Sequence, residues 1–187
     1  CLTGLETSEG TIQAKRIVIA AGTGAEAILQ SVDIDLPMAN QSGVLLKSRP
    51  IDPRINHVIW GDRIHMKQQT DGCMIIGEVF SESWSERDPS HIAEQMLGEA
   101  KRHLPDADII IERTTVGIRP MPKDGMPIVG AVDGVDGLYL AVMHSGITLA
   151  PIVGRMAADE ILDQITLEPL EPYRLRRFKD TDTTATS

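Results

Sequence analysis

The chain has 187 residues, of which 42% are hydrophobic and 24% charged. That is length for one globular domain, or one and a half, with a core that needs no disulfide or metal. The 18 basic residues against 27 acidic ones give a net charge of −9, which argues against a nucleic-acid partner, and no apolar run reaches transmembrane length. The cysteines, Cys1 and Cys73, form no C-x-x-C pair and no metal cluster. The acidic balance and the lack of a membrane span point to the cytoplasm. The first residue is Cys1, with no signal-peptide pattern after it, so a processed product or a piece of a longer protein is expected.

Leu2 to Thr11 suits a hairpin turning at Glu9-Gly10. Ile17-Val18-Ile19-Ala20-Ala21 is a continuous small and β-branched run. It suits a strand of a parallel sheet, buried on both faces. Gly22-Thr23-Gly24 ends it, and Ala25 to Val32 is a short helical stretch. Strand-like pieces follow at Gly43 to Lys47, His57 to Trp60, Ile64 to Gln68 and Cys73 to Gly77. Asp71-Gly72 sits between the last pair as a hairpin turn. Successive strands and turns imply an antiparallel sheet.

Asp88-Pro89 then opens an amphipathic helix, with Ile92, Met96, Leu97, Ala100 and Leu104 on one face and Pro105 at its end. Ile109-Ile110-Ile111 begins a strand running towards Val116 and Ile118. Leu138-Tyr139-Leu140-Ala141-Val142 is another apolar strand. It feeds His144-Ser145-Gly146 and a helix reaching about Leu162. Pro151 is tolerated only in a first turn, which sets the helix start near Gly146 to Thr148. The charged, proline-containing residues 169–187 read as a tail, disordered from Thr181.

Several segments could carry chemistry. Gly22-Thr23-Gly24-Ala25-Glu26-Ala27 has the spacing of a dinucleotide fingerprint. The acidic residue wanted about 20 positions later is missing. A literal reading makes Gly22, Gly24 and Ala27 a nicotinamide-cofactor site, with Lys47 or Arg49 meeting a 2′-phosphate. The bland reading is a tight strand-to-helix turn. The turn His144-Ser145-Gly146 opens a helix whose free N–H groups suit a phosphate, a carboxylate or the electron-rich edge of a cofactor ring. Arg119, between Ile118 and Pro120, can hold a carboxylate with its fork or serve a structural ion pair. His144 can be a base or a hydrogen-bonded structural residue.

Taken in order, these segments resemble a known family. Arg16 to Gly22 is similar to the strand that closes the FAD domain of flavoproteins. Gly117-Ile118-Arg119-Pro120, Asp124-Gly125-Met126-Pro127-Ile128-Val129-Gly130, Leu138 to Ala141 and His144 to Pro151 resemble the C-terminal half of the D-amino-acid oxidase family. The resemblance covers about residues 10 to 165. It implies an α/β (α+β) fold: part of an FAD-binding domain (1–37 and 114–168) with an inserted antiparallel substrate domain (38–113). It implies an FAD-dependent oxidoreductase acting on an amine or amino acid. Arg119 would bind the substrate carboxylate. Ala21, Gly22, His144, Ser145, Gly146, Ile147 and Thr148 would line FAD. The family's N-terminal G-x-G-x-x-G lies outside this sequence, so a C-terminal portion is expected, completed by its N-terminal half or by a partner chain. Neither cysteine falls in the Arg-Pro or His-Ser-Gly motif, so non-covalent FAD is expected. A non-catalytic scaffold or partnered subunit is the alternative, and homo-oligomerisation is open.

Overall fold

The computed structural model describes residues 2–79 and 88–181. It divides into two units: Cys1–Asn40 with Arg119–Ser187, and Gln41–Ile118. The sequence suggested borders at 37/38 and 113/114. The observed borders fall inside two long strands that run on from one unit into the other.

The first unit begins with a polar hairpin, β1 (Gly4–Thr7) and β2 (Gly10–Gln13), paired antiparallel. β3 (Ile17–Ile19) follows, then a 3-10 turn (Gly22–Gly24) and α1 (Ala25–Gln30). β4 (Met38–Pro50) leads out of the unit. The chain returns through β8 (Ile111–Pro122), β9 (Ile128–Ala131) and β10 (Leu138–Val142), and then enters α3 (Gly146–Asp163). In the sheet, β10 lies between β3, which is parallel to it, and β9, which is antiparallel.

The apolar run of β10 is explained by burial on both faces. Leu138, Leu140 and Val142 pack with Ile19, Ala25, Leu29 and Leu36. Tyr139 and Met143 pack on the other side with Val153, Ala157 and Leu170. β3 departs from its expected two-sided burial. Ile19 is buried, but Val18 on the opposite face is 47% exposed. Among the described residues, β3 pairs only with β10.

Residues 168–181 are not a tail. Glu168–Tyr173 forms a 3-10 helix and Arg177–Thr181 a short helix, α4. Leu170 and Arg174 are buried at 4% and 6% exposure, and Leu175 and Phe178 pack on the core. The expected disorder from Thr181 concerns residues of which all but Thr181 lie outside the described ones.

The second unit is a five-stranded sheet in the order β5-β6-β7-β4-β8. It comprises β5 (Ile59–Trp60), β6 (Ile64–Gln68), β7 (Cys73–Glu78) and parts of β4 and β8. β5–β6, β6–β7 and β4–β7 are antiparallel pairs. The β6–β7 hairpin turns at Asp71-Gly72, where Gly72 takes a φ of +85° that the turn requires. α2 (Pro89–His103) starts with proline at its first turn and buries Ile92, Met96 and Ala100. These pack on Val44, Leu46, Ile64, Met66, Met74 and Ile76. Among the described residues no helix is long and apolar enough to cross a membrane.

Candidate functional site

The first unit gathers Ala21, Gly22, Arg119 and His144 to Thr148. Ala21 and Gly22 follow β3, His144 to Thr148 lead from β10 into α3, and Arg119 lies within β8. Gly22 has a φ of +56°, a left-handed conformation that favours glycine. A Cβ built on it would meet the Pro120 ring at 3.7 Å, so the turn after β3 lies against the segment that carries Arg119. Ala21, just before it, is exposed.

The turn after β10 is equally open. Met143 is buried, whereas His144, Ser145, Ile147 and Thr148 are exposed. Ile147 reaches 95% exposure, an unusual value for an isoleucine in a first helical turn. The Ser145 hydroxyl does not cap α3; it lies 3.4 Å from His144 Nδ1. No side chain caps the first N–H groups of α3, which stand at the positive end of an 18-residue helix.

The Arg119 charge acts on the His144 ring. The His144 imidazole is held below its ordinary range, first by loss of solvent and then by the Arg119 charge. The neutral ring is thus favoured beside a permanent cation. The arrangement offers a cation, a neutral imidazole and a row of helix N–H donors within one unit. Such a set can hold an anionic substrate group and stabilise negative charge forming nearby.

Other expected positions fit the site less well. The literal nicotinamide reading meets an α1 of six residues with Glu26 in its first turn, where an acidic side chain repels phosphate. The next strand, β4, enters an antiparallel sheet rather than a parallel one. Lys47 pairs with Asp71 at 3.8 Å, and both it and Arg49 belong to the second unit. Cys73 is buried, and burial raises its thiol above the ordinary range. Cys1 lies outside the described residues.

Sequence reasoning missed the network at the other end of α3. The Glu160 carboxylate accepts from both Arg174 guanidinium nitrogens, from Tyr139 Oη at 2.7 Å and from Leu167 N at 2.8 Å. Burial alone would raise the Glu160 carboxyl, but these donors outweigh it and hold it below the ordinary range. The Tyr139 phenol is pushed up, by burial and then by its bond to Glu160. A cleft of about 510 Å³ opens beside this network, lined by Arg16, Asp136, Gln164 and Arg176 among others. It opens towards the C-terminal end of α3, at Glu160, Ile161 and Gln164, and its charges are mostly paired with each other. A charged stretch near a chain end gave no signal of partners so distant in sequence.

Comparison with known proteins gives this site a family. Residues 1–160 match the DAO family, FAD dependent oxidoreductase. Glycine oxidase from Pseudomonas aeruginosa is 28% identical over 174 residues, covering 91% of this chain and 48% of that protein. The crystal structure of glycine oxidase from Geobacillus kaustophilus superposes with a TM-score of 0.77 at 25% identity, covering 94% of this chain and 50% of that one. L-proline dehydrogenase from P. horikoshii gives a TM-score of 0.80 at 21% identity, over 96% and 51% of the two chains. That last likeness concerns the fold. The chain belongs to the DAO family of FAD-dependent oxidoreductases. It spans about half the length of the glycine oxidases it matches.

Proposed function

We propose that this chain is the C-terminal part of an FAD-dependent enzyme that oxidises the C–N bond of an amine or amino acid. The observation that carries the reading is the Gly22 turn lying against Pro120, the sequence neighbour of Arg119, in the unit that also holds the uncapped N-terminus of α3. The residues present suit a flavin. A Cβ added at Gly146 would meet only Met143 Cγ, at 4.0 Å, so the approach to the first-turn N–H groups is clear. Ala21 and Gly22 keep the turn after β3 small enough for a dinucleotide to pass. Non-covalent attachment is consistent with Cys73, which is buried in the other unit.

FAD, when bound, would supply the electron sink for this class of reaction, taking two electrons and a proton together as a hydride from the substrate carbon. The work of this chain's residues is binding and electrostatics. Arg119 grips the substrate carboxylate with its fork and fixes which hydrogen is presented. The N–H groups of Gly146, Ile147 and Thr148 and the α3 dipole stabilise negative charge that develops on the ring edge. His144 stays neutral, so it adds no second cation beside Arg119. The substrate becomes an imine, and water converts that to a keto acid or aldehyde and an amine. The shared name of the glycine oxidase relatives supports a small amino acid as the substrate class.

The glycine oxidase relatives are about twice as long, and the family's G-x-G-x-x-G is absent from this sequence; in this reading a further segment supplies it. The exposure of Val18, Ile147 and Leu162 (76%) also favours a covering polypeptide, so a partnered subunit is the second reading. Titrating the chain with FAD while following the visible spectrum tests the site. A shifted, saturable flavin spectrum that Thr148→Asp weakens supports it. A flavin spectrum identical to that of free FAD, both for the chain alone and after the G-x-G-x-x-G segment is joined, refutes it.

A further inference from the structure

Arg119 sits on a stiff arm. It is followed by Pro120-Met121-Pro122, whose prolines fix φ. Met121 and Pro122 are buried. The arm then enters a tight turn: Gly125 N donates to Pro122 O at 2.8 Å, and Met126 N to Asp124 Oδ1 at 3.0 Å. Lys123 N donates to Pro37 O at 2.9 Å. The turn is gripped from outside by the C-terminal segment. Arg177 donates from Nε to Asp124 Oδ2 at 2.6 Å and from Nη2 to Asp124 Oδ1 at 2.9 Å. Its Nη2 also reaches Met126 O at 3.0 Å.

This fork closes a contact across 53 residues. It holds the Asp124 carboxyl below its ordinary range, with Arg177 as the main cause. The strap that carries Arg177 is fastened separately. Arg174 is locked to Glu160, and Leu170 is buried in the core. Gly130 has a φ of +136°, and a side chain there would collide with the Arg174 guanidinium. Arg177 can therefore be changed without releasing the strap.

We propose that Arg177, by forking onto Asp124, is a positioning residue that fixes the Arg119 guanidinium at the open end of α3. The inference rests on the reading of Arg119 as the substrate-carboxylate anchor. Its geometric content is independent of flavin and substrate.

The reporter is the His144 ring, whose titration senses Arg119 from β8 and which contacts the hydroxyl of Ser145. The His144 midpoint would be measured by NMR in the 187-residue chain, its signal assigned with His144→Gln. Arg119→Gln sets the scale of the upward shift when the neighbouring charge is lost. Arg177→Gln and Asp124→Asn remove opposite charges. Acting through space alone, the first would raise the midpoint and the second would lower it. If the fork positions Arg119, both raise it, by half or more of the Arg119→Gln shift, while His57 and His91 stay put. Arg177→Lys keeps the charge without the fork and gives a smaller upward shift; it also serves if a stronger variant fails to fold.

Shifts of opposite sign, or an unmoved midpoint beside a lower melting temperature, would reduce the fork to a structural clamp. An unmoved midpoint in Arg119→Gln would remove Arg119 from the site and end the proposal. In the flavin-loaded enzyme, Arg177→Gln is expected to raise KM for carboxylate substrates about tenfold with little change in kcat. If KM is unmoved in Arg119→Ala while the NMR shifts stand, the substrate reading fails and the positioning survives.

Discussion

At the scale of single residues, the proposal gives Arg119 the substrate carboxylate and leaves His144 neutral. A charged hydrogen bond to a carboxylate contributes about 1.5 to 3 kcal/mol. Arg119→Ala in the flavin-loaded enzyme should therefore raise KM for amino acids roughly ten- to hundredfold. An amine without a carboxylate should feel the change far less. Equal losses on both substrates would show that Arg119 has another role. His144 sets a pH dependence of known sign. Its folded-state pKa lies below the ordinary value of about 6.5. Between those values the unfolded chain holds more protons, so stability is lost as pH falls through that window. The melting temperature of the wild type should drop more steeply below about pH 6.5 than that of His144→Gln. Parallel curves would contradict the assigned environment.

At the scale of elements, the two ends of α3 play different parts. The N-terminal end has no side-chain cap and exposes Ile147 and Thr148, and the proposal puts the site there. The C-terminal end is bolted down by Glu160, Arg174 and Tyr139. In the Glu160–Arg174 pair the side chains are 6% and 7% exposed. Glu160→Ala strands a buried guanidinium and should cost about 3 kcal/mol in urea unfolding. Asp159→Ala breaks a pair whose arginine, Arg155, is 77% exposed, and should change stability by less than about 0.5 kcal/mol. Similar costs for both would mean the buried network is not what fastens the strap. Thr148→Asp separates helix stability from function. A carboxylate in the first turn suits the dipole by about 0.3 to 1 kcal/mol, so the chain should melt no lower. The same charge should weaken flavin binding, as read by quenching of FAD fluorescence. A variant that binds FAD as tightly as wild type would move the flavin away from α3.

At the scale of the whole molecule, what could be read from the sequence depended on how local the cause was. α3 starts at Gly146, within the expected range, but Pro151 is its sixth residue and lies inside the helix rather than in the first turn. The β6–β7 hairpin was legible from its alternation and Asp71-Gly72. The candidate site residues were named from four motifs in order, and the fold sets Gly22 against Pro120. Three features were hidden. The full length of β4 was masked by the polar stretch Asn40-Gln41-Ser42. The open face of β3 could not be seen, because Ile17-Val18-Ile19 reads the same whether or not a neighbour covers it. The order of residues 168–181 depends on Arg174 finding Glu160 and Arg177 finding Asp124, contacts 14 and 53 residues apart. Local composition carries no trace of such pairs.

The central claim, flavin-dependent oxidation of an amine or amino acid, is tested most directly on the polypeptide as its own cells make it. It would be captured with an antibody against this chain, and its visible spectrum recorded before and after anaerobic addition of glycine, other amino acids and N-methyl amino acids. The account expects an oxidised flavin spectrum that bleaches with at least one of them. A colourless protein, or a bound flavin that no amine or amino acid bleaches, would contradict it.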